Sequence, residues 1–363
     1  MPTDPQRWRL AQLREGLHNA SLGGALIVHL PMVRYLTRFS GSNALLLVLE
    51  ESVHLFTDDR YAEQVKTELA KLPGLSVHIT RDAIPAAAQV CRDEHVASLG
   101  IEYEHITLAQ HAALRTAMRG IKLRRLFPLD HLRMVKFKPE LEALRQAARI
   151  ASTVYEEVVA QVRPGMRESE VAAELSYRAR RLGSEADAFD IIVVAGEHGA
   201  FVHGRASSRQ LRKGDVVTVD FGCRIGGFHS DMTRTFYVGH TVPAEVQRAW
   251  EIVRRAHERA LECLQPGVSA AAVDRAARDV IEGAGLGEFF KHSLGHGLGL
   301  EVHEPPAISW RNTKGIIPAR SVVTIEPGVY LPGKFGMRLE DDVYIGERGI
   351  ELLTTAPREL LRV

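Results

Sequence analysis

The chain's 363 residues, 45% hydrophobic and 25% charged, exceed the ~100–200 of a single domain and predict two domains with a sizeable buried core. Its 46 Lys+Arg against 45 Asp+Glu leave a formal charge of +1, so no bulk basic field draws nucleic acid or an anionic membrane. Cys91, Cys223 and Cys263 are far apart with no C-x-x-C pair, which excludes a disulfide scaffold and a thiolate zinc cluster and fits a reducing cytoplasm.

In chain order, residues 1–17 alternate charged and apolar residues and lack the apolar core of a signal peptide. The longest aliphatic run, residues 44–49, falls far short of the ~20 residues of a membrane span. A cytoplasmic protein without membrane contact is expected. From residue 24 to about 130, β-rich runs at 25–28, 45–49, 53–56 and 75–79 alternate with helical periods at 62–72 and 108–118, the pattern of a small α/β domain. Phe127-Pro128-Leu129-Asp130 interrupts that pattern, and Lys138-Pro139 opens a long amphipathic helix with proline in its first turn. The domain boundary is therefore set near 130.

The second part repeats itself. A helix of about twenty residues ends at Arg163-Pro164-Gly165-Met166, and another runs from about 168 to 182. The same order recurs as a helix over 243–264, then Gln265-Pro266-Gly267-Val268, then a helix over 269–282. Each unit is followed by a β-branched strand that ends on an acid: Val216-Val217-Thr218-Val219-Asp220-Phe221-Gly222 and Val322-Val323-Thr324-Ile325-Glu326-Pro327-Gly328. The repeat implies a duplication with a pseudo-twofold core.

Acids at the ends of apolar runs are costly to bury unless a cation or hydrogen-bond donors compensate them. A hairpin turning near Ile225-Gly226 would set Asp220 directly opposite Asp231, with Cβ atoms about 4.5–5.5 Å apart. A second hairpin centred on Gly333 would do the same for Glu326 and Glu340. Four carboxylates gathered across the pseudo-twofold axis repel strongly unless divalent cations neutralise them, and two metals match four charges. Further candidates lie in the glycine-rich run from His292 through His296 to His303, where missing side chains let backbone and imidazole approach a ligand. His203 and His303 follow Pro164 and Pro266 at similar distances, so they read as duplication counterparts and as paired donors over the site.

On these residues the chain resembles the pita-bread metallopeptidases, the family of methionine aminopeptidase, aminopeptidase P and prolidase. Asp220-Phe221-Gly222, Ser230-Asp231-Met232-Thr233-Arg234, His296-Gly297-Leu298-Gly299, Ile325-Glu326-Pro327-Gly328 and Arg338-Leu339-Glu340-Asp341 occur in that family's order. The resemblance implies Asp220, Asp231, His296, Glu326 and Glu340 as ligands of two divalent metals, and an α+β pita-bread domain over 131–363. Tyr35-Leu36-Thr37, Phe39-Ser40-Gly41-Ser42 and Thr57-Asp58-Asp59-Arg60-Tyr61 resemble the α/β creatinase-type leading domain of Xaa-Pro peptidases, here over 1–130. Arg338 beside Glu340 also resembles that branch, where the arginine supports the ligand network. Phe201-Val202-His203 departs from it, since relatives often carry proline before that histidine.

Hard and borderline donors favour Mn(II), Fe(II) or Co(II), with Zn(II) compatible, and the resemblance implies manganese. Two such metals would make water reactive near neutral pH, with Glu326 moving the proton, His203 and His303 stabilising the carbonyl oxygen, and His292 bordering the substrate. A bond to proline offers no N–H, so an apolar pocket is required, for which Phe189 and Ile191 are candidates. Cys223 reads as a small buried hydrophobe. The leading expectation is an Xaa-Pro aminopeptidase (aminopeptidase P) acting on proline-containing peptides, as a homodimer. An Xaa-Pro dipeptidase (prolidase) is the alternative. An inactive binding module on the same fold, or a metal-free C–N hydrolase of the creatinase kind, would show substitutions at the five ligand positions, and none is present.

Overall fold

The structure, a computed structural model, describes residues 4–69 and 74–363. The chain divides into two compact units, Met1–Arg133 and Met134–Val363. Among the described residues, no helix is long and apolar enough to cross a membrane.

In the first unit the apolar runs form one mixed sheet. Edge to edge its strands are Leu75–Ile79, Val53–Thr57, Leu45–Leu49, Gly24–Ile27, Ser98–Ile101 and Lys122–Arg125. Gly24–Ile27 pairs antiparallel with Leu45–Leu49 and parallel with Ser98–Ile101, and both of its faces are buried. On one face, Leu26, Leu47, Phe56 and Leu99 pack with Ala87, Cys91 and Leu114 from the helices Ala83–Asp93 and Leu108–Ala117. Helix Pro5–Asn19 begins where the Asp4 carboxylate accepts the N–H groups of Gln6 and Arg7 and proline takes the first turn. The helix expected over 62–72 is seen as Ala62–Glu68, and Leu72 lies outside the described residues.

The second unit is built twice. Helices Lys138–Val159 and Glu168–Arg181 precede strands Ile192–Ala195, Val216–Phe221 and Met232–Tyr237; helices Ala244–Cys263 and Ala270–Gly283 precede Gly295–Gly297, Ser321–Ile325 and Asp341–Ile345. Each helix pair turns at Pro-Gly, with Gly165 at φ 96 and Gly267 at φ 81, a backbone state that favours glycine. Val154, Val171 and Leu175 pack against Val217, Val219 and Phe236 in one core. Val253, Val273 and Ala277 pack against Val323, Ile325 and Val343 in the other. The result is the creatinase-type leading unit and the duplicated pita-bread unit that the resemblance implied.

Candidate metal centre

The acids reach the centre by strand register. In the first half Gly226 (φ 58) and Gly227 (φ 82) make a two-residue turn, the geometry that needs left-handed residues at both positions. Pairing then runs Ile225 with Phe228, Met232 with Phe221 and Thr233 with Asp220. Asp220 therefore faces Thr233, and Asp231 lies two residues nearer the turn, on the same face. This corrects the expected direct opposition, which required a turn one residue earlier, at Ile225, where a β-branched side chain resists positive φ.

In the second half Ile325 pairs with Asp341 and Gly328 with Arg338. The same register sets Glu326 opposite Glu340, as expected. There the ladder parts, because Glu326 N–H donates to Leu294 O at 2.8 Å and Glu340 N–H to Thr233 O at 3.1 Å. The second of these bonds stitches one half to the other.

The strand ends open into a cavity of about 390 Å³ lined by Asp220, Asp231, His296, Glu326 and Glu340 together with His203, His292, His303 and Arg338. Ligand atoms of Asp231, His296 and Glu340 lie within 4.8 Å of one another. His296 Nδ1 sits 3.1 Å from Gly297 O. A carbonyl only accepts, so Nδ1 carries the proton and the Nε2 lone pair points at Asp231 Oδ2 and Glu326 Oε1, each 3.6 Å away. Burial holds His296 down to about 4, with His303 adding to the effect, so the imidazole is neutral.

Charge is crowded here. Burial first, and then repulsion from Glu340 and Asp220, raises the carboxyls of Asp231 and Glu326 well above the ordinary range. Glu340 is pushed up to about 8 by burial and by Asp220. Asp220 Oδ1 is buried without a hydrogen-bond partner. Four inward carboxylates, that of Asp220 with an orphaned oxygen, and one imidazole lone pair form an oxygen-rich donor set that fits divalent cations.

Arg338 is the fixed cation of the cavity. Its Nη2 donates to Asp220 Oδ2 at 2.5 Å, its Nε to Thr233 Oγ1 at 2.8 Å and its Nη1 to the Tyr330 hydroxyl at 2.6 Å. Tyr330 in turn lies 3.0 Å from His292 Nε2, while His292 Nδ1 faces Ser293 O at 2.8 Å. The hydroxyl thus accepts from Arg338 and donates to His292, whose neutral form is favoured because burial and then Arg338 lower it to about 3. His303 is more exposed, its ring centroid 4.3 Å from that of His296 and nearly perpendicular to it. Phe189 and Ile192 line the cavity. Ile191 does not; it lines a neighbouring groove, because successive residues of an extended segment face opposite ways. Cys223 is buried and its thiol pushed up to about 12 by that burial, in keeping with a packing role.

Comparison with known proteins supplies the family. Residues 142–347 match Metallopeptidase family M24, and residues 9–135 match the Creatinase/Prolidase N-terminal domain. The chain belongs to metallopeptidase family M24. It is 32% identical to the Xaa-Pro dipeptidase of Pyrococcus horikoshii over 97% of this chain and 98% of that one. A solved structure named Xaa-Pro dipeptidase from Bacillus anthracis superposes with a TM-score of 0.94 at 32% identity, covering 99% and 100% of the two chains. One named X-Pro aminopeptidase from Thermotoga maritima gives 0.88 at 37% identity, covering 96% and 100%. The chain is thus a peptidase, a hydrolase of a dinuclear-metal family.

Several residues of this M24 centre hold positions that the motifs alone do not assign. Thr233 Oγ1 donates to Glu340 Oε2 at 2.6 Å, and Asp231 N–H donates to Asp342 Oδ2 at 3.1 Å. Arg234 Nη1 donates to Glu340 O at 2.5 Å while its Nη2 donates to Asp341 Oδ1 at 2.6 Å. Burial opposes the charge of Asp341, yet Arg234, His257 and Arg358 together hold its carboxyl below the usual range. Asp341-Asp342 inside an apolar strand was a readable signal. Tyr330 carried none. Behind the loop of His203, the buried Glu168 carboxylate accepts from Ala195 N (2.9 Å), Ser207 Oγ (2.6 Å) and His198 Nδ1 (2.9 Å), clamping both ends of that loop.

Proposed function

We propose that this M24 peptidase hydrolyses the peptide bond before proline and releases the amino-terminal residue. The observation that carries the reading is the cavity itself, about 390 Å³, at the small end of the ~300–1,000 Å³ typical of small-molecule sites. It joins five metal-type donors to an apolar wall. Relatives named Xaa-Pro dipeptidase and X-Pro aminopeptidase support the same bond.

Asp220, Asp231, His296, Glu326 and Glu340 would hold two divalent ions, Mn(II) by preference. When bound, such ions polarise a carbonyl and acidify water. The chain's own groups do the rest. Glu326 accepts a proton from the attacking water and returns it to the leaving nitrogen. His203 and His303 donate to the carbonyl oxygen as it gains charge. Arg338 fixes Asp220, and Tyr330 and His292 extend that brace toward the substrate. A prolyl nitrogen has no hydrogen to recognise, so Phe189 and Ile192 would select the ring by apolar contact.

The test is turnover of Ala-Pro against Ala-Ala by the full chain, stripped with chelator and reloaded with Mn(II). Release from Ala-Pro alone, and only after reloading, is expected; equal cleavage of Ala-Ala, or turnover that survives chelation, contradicts the reading. The relatives' names favour a second reading, restriction to the dipeptide.

A further inference from the structure

Beside the catalytic cavity lies a second groove of about 560 Å³. The two share a wall. Phe189 lines both, Ile192 lines the cavity while Ile191 lines the groove, and the loop that sends His203 into the cavity sends Arg205 and Ala206 into the groove. The groove is thus the space next to the cavity on its Phe189 side.

Its polar groups are poorly matched to one another. Arg205 Nη2 lies 3.5 Å from Asp190 Oδ2 with both side chains more than four-fifths exposed, and Arg180 Nε lies 3.8 Å from Asp187 Oδ1. Among the described residues neither guanidinium makes a hydrogen bond. Elsewhere in the same unit Arg209 closes on Asp215 with two bonds of 2.8 and 2.9 Å. Asp187 is instead satisfied by Ser176 Oγ at 2.8 and 2.9 Å. Loose exposed pairs contribute little, so the donors of both arginines are available to a ligand. An arginine fork matches a carboxylate best.

We propose that this groove binds the part of a peptide that follows the proline, with Arg205 and Arg180 receiving its terminal carboxylate. The proposal rests on the Xaa-Pro reading and deepens it, since a subsite there makes the enzyme an aminopeptidase of longer peptides and not a dipeptidase alone. Asp187 and Asp190 set a preference against acidic side chains at the residues that cross the groove.

The experiment compares kcat/KM for Ala-Pro, Ala-Pro-Ala-Ala and the carboxamide of that tetrapeptide, using the Mn(II)-loaded full chain and its Arg205→Glu and Arg180→Glu variants. The expected result is cleavage of the tetrapeptide by the parent chain, with its kcat/KM relative to Ala-Pro falling about tenfold in each variant, mainly through KM. The carboxamide should show the same loss in the parent chain. A ratio unmoved by either substitution, or a parent chain that cleaves Ala-Pro and leaves the tetrapeptide intact, overturns the groove while the Xaa-Pro reading stands. Failure on Ala-Pro and the tetrapeptide alike overturns both.

Discussion

The two halves of the catalytic unit deliver their acids differently. In the second half Glu326 and Glu340 face each other across one register, turning at Pro332-Gly333-Lys334. In the first, the Gly226-Gly227 turn staggers Asp220 and Asp231 by two residues. Duplication preserved the helices and strands but not the side-chain positions, and the shorter acids sit diagonally across their ladder. Each half also holds the other's ligand. Arg338 of the second braces Asp220 of the first, and Thr233 of the first braces Glu340 of the second.

Breaking the opposed pair carries the largest expected effect. Glu326→Gln removes both a ligand and the proton carrier, and kcat should fall by about 10²–10⁴-fold. Steady-state kinetics beside elemental analysis checks it, and undiminished turnover would remove Glu326 from the mechanism. Cutting the stitch between halves comes next. Thr233→Val leaves Glu340 and Arg338 each short of a partner, so metal affinity should drop about 10–100-fold, with about 1–3 kcal/mol lost from stability. Competition with a chelating dye measures the first and urea unfolding the second. Asp220 and Asp231 should bind as before if the halves act independently, which this account denies.

Much of this was readable because it was locally expensive. Pro-Gly after two long helices, and acids closing β-branched runs, are choices that packing alone does not explain, and they led to the duplicated halves and the residues that line the cavity. The stagger of Asp220 and Asp231 was not readable, since turns at Ile225-Gly226 and Gly226-Gly227 differ by one residue and a one-residue shift changes every partner. The cavity-lining place expected of Ile191 falls to Ile192 for a like reason, as the face each takes depends on where the strand begins. Thr233 and Tyr330 are ordinary strand residues, and their roles come from contacts with residues distant in sequence.

Two smaller effects sharpen the contrast. Glu168→Gln loosens only the loop of His203, so kcat should fall by up to about 100-fold while metal content stays at the parent value; loss of metal would place Glu168 with the ligands. The last effect concerns pH. With Glu340 raised from 4.5 to about 8, the folded metal-free chain holds a proton that the unfolded chain releases, so stability present below 4.5 is lost as pH rises through about 8. Melting of the chelated protein should therefore worsen across that window, and the Mn(II)-loaded protein should not follow it.

The most direct test is an anomalous difference map from crystals of the full chain soaked in Mn(II). Two peaks inside the cavity, each touching carboxylates from both halves and one also touching His296 Nε2, are predicted. A map with no peak there, or with density confined to the acids of one half, would contradict the shared centre.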